Sequence, residues 1–93
     1  MFKDLNPLLH SQLRLTIISI LVSEMESDFT SLKEKTQATS GNLSVQLKKL
    51  EKAKYIILKK GFKNNYQHTS IQITEAGIEA FSEYVDAIKG YLK

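Results

Sequence analysis

The sequence predicts a mainly α chain with one β-hairpin, in the order helix, helix, helix, strand, strand, helix. Three observations carry that prediction. Thr39–Lys54 (TSGNLSVQLKKLEKAK) opens on cap residues and places Leu43, Leu47 and Leu50 on one helical stripe. After Lys54 the pattern changes to β-branched and aromatic residues in Tyr55-Ile56-Ile57-Leu58, and then to alternation from Tyr66 to Thr74. The third observation is electrostatic. Seven lysines and one acid lie between Gly41 and Lys63, a local charge of +6, while six basic and nine acidic residues elsewhere give −3. A basic middle between acidic ends is a footprint for a polyanion.

At 93 residues the chain is read as one domain, 1–93. Its first helix is expected to open at Asn6-Pro7, with Asn6 as N-cap and Pro7 in the first turn, and to run to about Glu24. Leu9, Leu13, Ile17, Ile20 and Leu21 make its expected core stripe. Leu8, Leu15, Ile18 and Val22 lie partly off that stripe, as in a central helix or one shared with a second subunit. Arg14 is read as a structural ion pair or a snorkelling side chain, and His10 as a cap or surface residue. Ser23–Asp28 reads as a polar connection. Asp28 is the preferred cap of a short second helix, about Phe29–Gln37, with Ser31 and Glu34 a competing capping box.

Ala38-Thr39-Ser40 then turns into the third helix, which makes residues 29–54 a helix-turn-helix. Opposite its leucine stripe the third helix shows Gly41, Ser44, Val45, Lys48 and Lys52, flanked by Asn42 and Lys49. A helix anchored by leucines and presenting amide, hydroxyl and cationic groups suits a DNA major groove, where base edges take polar groups and phosphates take cations. With Ser40 at its start, these are the candidate DNA contacts. Residues 55–74 form the hairpin. Its tip, Lys59 to Asn65, is read as a long basic turn, with Phe62 packed back on the sheet. A hairpin in this place is a wing, and Lys59, Lys60, Lys63, Asn64 and Asn65 are its candidate DNA contacts. Thr74 caps the last helix, about 75–92. Phe81, Tyr84, Val85, Ile88, Tyr91 and Leu92 give it a wide apolar face. With Leu8 and Leu15 of the first helix, that face is the expected dimer interface, since a domain this small covers so much apolar surface poorly. The architecture is a winged helix-turn-helix: three-helix core, two-stranded wing, C-terminal helix.

The composition excludes several functions. The absence of cysteine removes disulfides, thiol chemistry and cysteine-held metals. Only His10 and His68 could offer imidazole, and they are far apart in sequence, so neither a metal nor a cofactor is expected. The start MFKDLNPLLH lacks the features of a secretion signal, and Leu15–Val22 is too short to span a bilayer. A cytoplasmic location follows as the expectation. With no Gly-rich phosphate loop and no nucleophile triad, no enzymatic activity is expected.

Several stretches carry a resemblance: LNPLLHSQLRLTIISIL at 5–21, DFTSLKEKT at 28–36, TSGNLSVQLKKLEKAKYI at 39–56 and LKKGFKNNYQHTSIQITEAGIEAF at 58–81. Together they resemble the compact MarR/ArsR-like winged-helix transcription regulators of bacteria and archaea. The third and fourth, with the ITEAG run, are the most specific. The resemblance implies sequence-specific binding of double-stranded DNA by a homodimer, with a recognition helix in each major groove and wings on the flanking backbone. Ser44 and Val45 match the family's outward pair. Val45 stands where many members carry arginine, and Gln46 where histidine is common. That exchange removes a bidentate guanine contact and leaves Val45 to touch a thymine methyl. Lysines replace the wing arginines, which suits phosphate neutralisation over base reading. The competing reading is a winged-helix module that binds protein. The two diverge on whether the +6 lysines converge on one face.

Overall fold

The computed structural model describes residues 2–92. The elements are α1 (Gln12–Glu24), β1 (Glu26–Asp28), α2 (Phe29–Thr36), α3 (Ser40–Lys52), β2 (Ile56–Lys63), β3 (Tyr66–Ile73) and α4 (Glu75–Lys89). The strands form one antiparallel sheet in the order β1-β3-β2. This is the winged-helix fold that the sequence predicts, with one strand added.

Caps set the helix starts. Asp28 accepts from the Ser31 N–H at 2.7 Å, so it caps α2 and the alternative box at Ser31 does not form. Thr39 accepts from the Asn42 N–H at 3.1 Å and opens α3; Thr74 accepts from the Gly77 N–H at 3.1 Å and opens α4. α2 ends on Gln37 in the left-handed region (φ 61°), whose N–H returns to the Lys33 carbonyl.

The first helix is shorter than expected. Ser11 is extended (φ −149°, ψ 128°), so α1 begins at Gln12 and residues 7–10 form a separate turn. Asn6 still caps that turn, its Oδ1 accepting from the Leu8 N–H at 2.9 Å, while its Nδ2 donates to the Tyr55 hydroxyl at 2.9 Å. The break lets Leu9 enter the core independently of α1's phase. α1 then buries Ile17, Ile18 and Leu21, and leaves Leu13 and Ile20 half-buried. Among the described residues Arg14 has no ion-pair partner. Its Nε donates to the Leu8 carbonyl at 2.6 Å, tying α1 to the preceding turn, and its Nη1 donates to Gln46 Oε1 on α3.

The polar connection after α1 contains β1, which pairs Glu26, Ser27 and Asp28 with Gln72, Ile71 and Ser70 of β3. Only three residues are involved, too few for a hydrophobic alternation to show. β2 and β3 pair from Ile56↔Ile73 out to Lys63↔Tyr66. The expected long basic turn is therefore strand. The turn itself is Asn64-Asn65 alone, at φ 52° and 67°. Two consecutive positive φ values define the tight hairpin turn that follows the strands' twist, and asparagine tolerates them. Eight residues of strand extend about 26 Å, and the hairpin outruns the body. Phe62, expected against the sheet, is 82% exposed because nothing lies beneath that end.

The core lies between the helices and the root of the sheet. Leu9, Ile17, Ile18, Leu21, Leu32, Leu43, Leu47, Leu50, Ile56, Ile71 and Ile73 fill it. α4 contributes Gly77, Ala80, Tyr84 and Ala87. Tyr84 is thus corrected from the expected dimer face to the protomer's own core, with its hydroxyl hydrogen-bonded to His10 Nδ1 at 2.9 Å. Small residues let α4 approach the α3–β2 junction. A Cβ at Gly77 would stand 2.4 Å from the Tyr55 carbonyl oxygen and 2.9 Å from Ile73 Cγ1. Gly77→Ala is expected to destabilise the fold by about 1–3 kcal/mol through overpacking. Urea melts check this, and an unchanged midpoint would contradict the packing described.

Candidate nucleic-acid interface

α3 is held by the three buried leucines and turns its other sides outward. Ser40, Gly41, Asn42, Lys48, Lys49 and Lys52 are exposed, Val45 is 50% exposed and Ser44 is half-buried. Nothing lies within 4 Å of a Cβ built at Gly41, which leaves the first turn of α3 open to close approach.

A groove of about 410 Å³ runs between α3, the start of α2 and the hairpin. Ser44, Leu47 and Lys48 form one wall, Leu58, Lys60, Gln67, His68 and Thr69 the other, and Asp28, Phe29 and Thr30 close one end. The fold therefore brings Ser44, Lys48 and Lys60 to one groove from distant parts of the sequence. It does not bring all the hairpin lysines there. Lys60 is paired with Thr69 and shares the inward face with Leu58, whereas Lys59 (opposite Ser70) and Lys63 (opposite Tyr66) project from the other face. Asn64 and Asn65 form the exposed tip.

Among the described residues these lysines have no salt-bridge partner: the only salt bridge joins Lys35 to Glu24, neither of which lines the groove. The one acid lining it, Asp28, is engaged as the cap of α2. Ammonium groups on both walls of an open groove suit phosphate oxygens. Thr30, Gln67, His68 and Thr69 were not singled out by the sequence reading. The alternation of β3 placed Ile71 and Ile73, but which outer residues face α3 depends on how the hairpin leans, and that is a tertiary property.

The expected interface between copies divides in the structure. Leu8, Leu15, Phe81 and Ile88 are half-buried and pack against the core. Val85 is half-buried but outside that cluster, and Tyr91 and Leu92 are exposed, Leu92 at 75%. Phe2 stacks on Tyr91 with ring centres 4.7 Å apart and extends the same apolar end.

Among the described residues no group of three or more His, Cys, Asp or Glu is placed to hold a metal ion. None of the described helices is long and apolar enough to cross a membrane.

A family model described as a winged helix DNA-binding domain matches residues 13–92. An uncharacterized protein of Methanocaldococcus jannaschii is 37% identical over 76 residues, which is 82% of this chain and 83% of that protein. The solved structure of a transcriptional regulator homologue from Pyrococcus horikoshii OT3 superposes with a TM-score of 0.85 at 22% identity, over 91% of this chain and 84% of that one. The zinc-responsive MarR family member ZitR of Lactococcus lactis superposes with a TM-score of 0.66 at 20% identity, over 88% of this chain and 56% of its own.

Proposed function

This chain belongs to the winged helix DNA-binding domain family, and from that premise we propose that it is a MarR-like cytoplasmic transcription regulator that binds specific double-stranded DNA as a homodimer. α3 enters the major groove and the hairpin follows the flanking backbone. The observation that carries this reading is the convergence of Ser44, Lys48 and Lys60 on one groove, with no salt bridge to either lysine among the described residues. A protein-binding module has no need of unneutralised cations in that place. Lys49 and Lys52 on α3, with Lys59 and Lys63 on the far face of the hairpin, extend the positive field along both sides of a bound duplex. Val45 meets thymine methyls, and Ser40, Gly41 and Asn42 lie at the end of the helix that in helix-turn-helix proteins contacts base edges.

In this reading the second copy packs against α4, α1 and the turn before α1, through Leu8, Leu15, Phe81, Val85, Ile88, Tyr91 and Leu92. Val85→Glu with Leu92→Glu leaves the buried core untouched and is expected to give a monomer by sedimentation equilibrium where the unaltered protein is a dimer. A dimer that survives both substitutions would remove α4 from the interface. Selection of duplexes from a random library tests the whole reading. The expected product is an inverted repeat with half-sites about one helical turn apart. Recovery of unrelated sequences from a protein that nevertheless binds would rule out sequence-specific action.

A further inference from the structure

A hydrogen-bonded relay runs from α1 to the exposed start of α3. Arg14 Nη1 donates to Gln46 Oε1, and Gln46 Nε2 donates to Asn42 Oδ1 at 3.0 Å. Arg14 is itself held by its bond to the Leu8 carbonyl. The chemistry of the groups fixes every orientation. A guanidinium only donates, so the Gln46 atom that meets it must be the oxygen. The Gln46 nitrogen then faces Asn42, and the Asn42 atom that receives it must again be the oxygen. The Asn42 N–H2 group is left pointing away, with no partner among the described residues. Turning either amide over would set donor against donor beside a half-buried arginine.

We infer that Arg14 and Gln46 are positioning residues that make Asn42 a donor-only reader of DNA. The inference rests on the DNA-binding reading above and deepens it. An asparagine that recognises adenine uses its oxygen and nitrogen together. Here the oxygen is turned towards Gln46, so the group Asn42 offers outward is its N–H2, which takes an acceptor: guanine O6 or N7, adenine N7, thymine O4, or a phosphate oxygen. The anchor of the relay, the Leu8 carbonyl, lies in the turn assigned to the dimer interface, so the second copy and the base-reading group bear on one chain of hydrogen bonds.

Gln46→Glu is the informative substitution. Glutamate still accepts from Arg14 but cannot donate to Asn42, so Asn42 turns its N–H2 inward and shows its oxygen to the DNA. Duplex selection is carried out with the unaltered protein and with Gln46→Glu, each with Asn42 present and with Asn42→Ala. The expected result is discrimination of about tenfold against cytosine, the base with no major-groove acceptor, at one position per half-site. Gln46→Glu shifts that position towards cytosine, and Asn42→Ala abolishes both effects. If the acceptor is a phosphate, the base profile stays constant, and Gln46→Glu costs more affinity on every duplex with Asn42 present than with alanine there. Gln46→Leu, which removes both amide groups, should erase the preference without moving it. Melting curves identify any variant that fails to fold. An effect of Gln46→Glu that is the same with and without Asn42 would overturn the inference. Failure of the unaltered protein to bind any duplex would instead refute the DNA-binding reading. The relay would then be read from the side-chain amide resonances of Asn42 in the free protein, which Gln46→Glu should shift; unshifted resonances would overturn it.

Discussion

Replacing Lys48 and Lys60 together by glutamine flattens the dependence of DNA affinity on salt by about two units of log–log slope per bound protomer. Each lysine that neutralises a phosphate releases about one condensed counterion, and the slope counts those releases. The pair faces one groove from opposite walls, α3 and β2, so both are expected to meet the same stretch of backbone. The loss is expected to fall on all sequences alike, because an ammonium group reads charge and not base identity. Both lysines are exposed and glutamine keeps a polar side chain there, so the fold is expected to be retained. Binding isotherms over a salt series measure the effect. A slope equal to that of the unaltered protein would take both residues off the phosphates.

Leu47→Ala is expected to cost about 2–5 kcal/mol of stability, in the lower half of that range. Leu47 is 2% exposed and shares the core with Leu43 and Leu50. It also lines the groove, so water can enter part of the space that the substitution opens. The turn of α3 that it anchors carries Ser44 and Lys48, so DNA affinity falls with stability. Urea denaturation measures the cost. A midpoint equal to the unaltered protein's would mean that the leucine stripe does not face the core.

The parts of the fold legible in the sequence are those fixed by local chemistry. The leucine spacing of α3 and the oxygen-bearing caps at Asp28, Thr39 and Thr74 each work within a few residues, and the sequence shows them. The same holds for the alternation that buries Ile71 and Ile73. What escaped depends on distant partners. β1 exists because β3 offers it an edge, and three residues carry no periodicity of their own. The break at Ser11 is favourable because Leu9 finds a core and Arg14 finds the Leu8 carbonyl. Two asparagines sufficed for the turn, and the lysines beside them were strand.

The same distinction runs through the site. The outward residues of α3 followed from helical geometry, since a helix held by three leucines has only one way to face. The groove did not, because it requires the lean of the hairpin towards α3. On α4 the large apolar residues drew attention away from the small ones that face the core, and of the large ones assigned to the interface only Tyr84 is buried. Gly77, Ala80 and Ala87 are buried with Tyr84, and their small size lets α4 come close to its neighbours, α1 above all. Arg14 and Gln46 looked unremarkable apart. Their consequence for Asn42 appears only when α1 and α3 are brought together.

Fluorescence anisotropy of a labelled mixed-sequence duplex, titrated with the protein across a salt series, tests the central claim most directly. Binding in the micromolar range at low salt that weakens steeply as salt rises is the expected result, since non-specific binding of this kind is almost wholly phosphate neutralisation. Absence of binding at low salt, or binding indifferent to salt, would contradict a DNA-binding role for α3 and the hairpin.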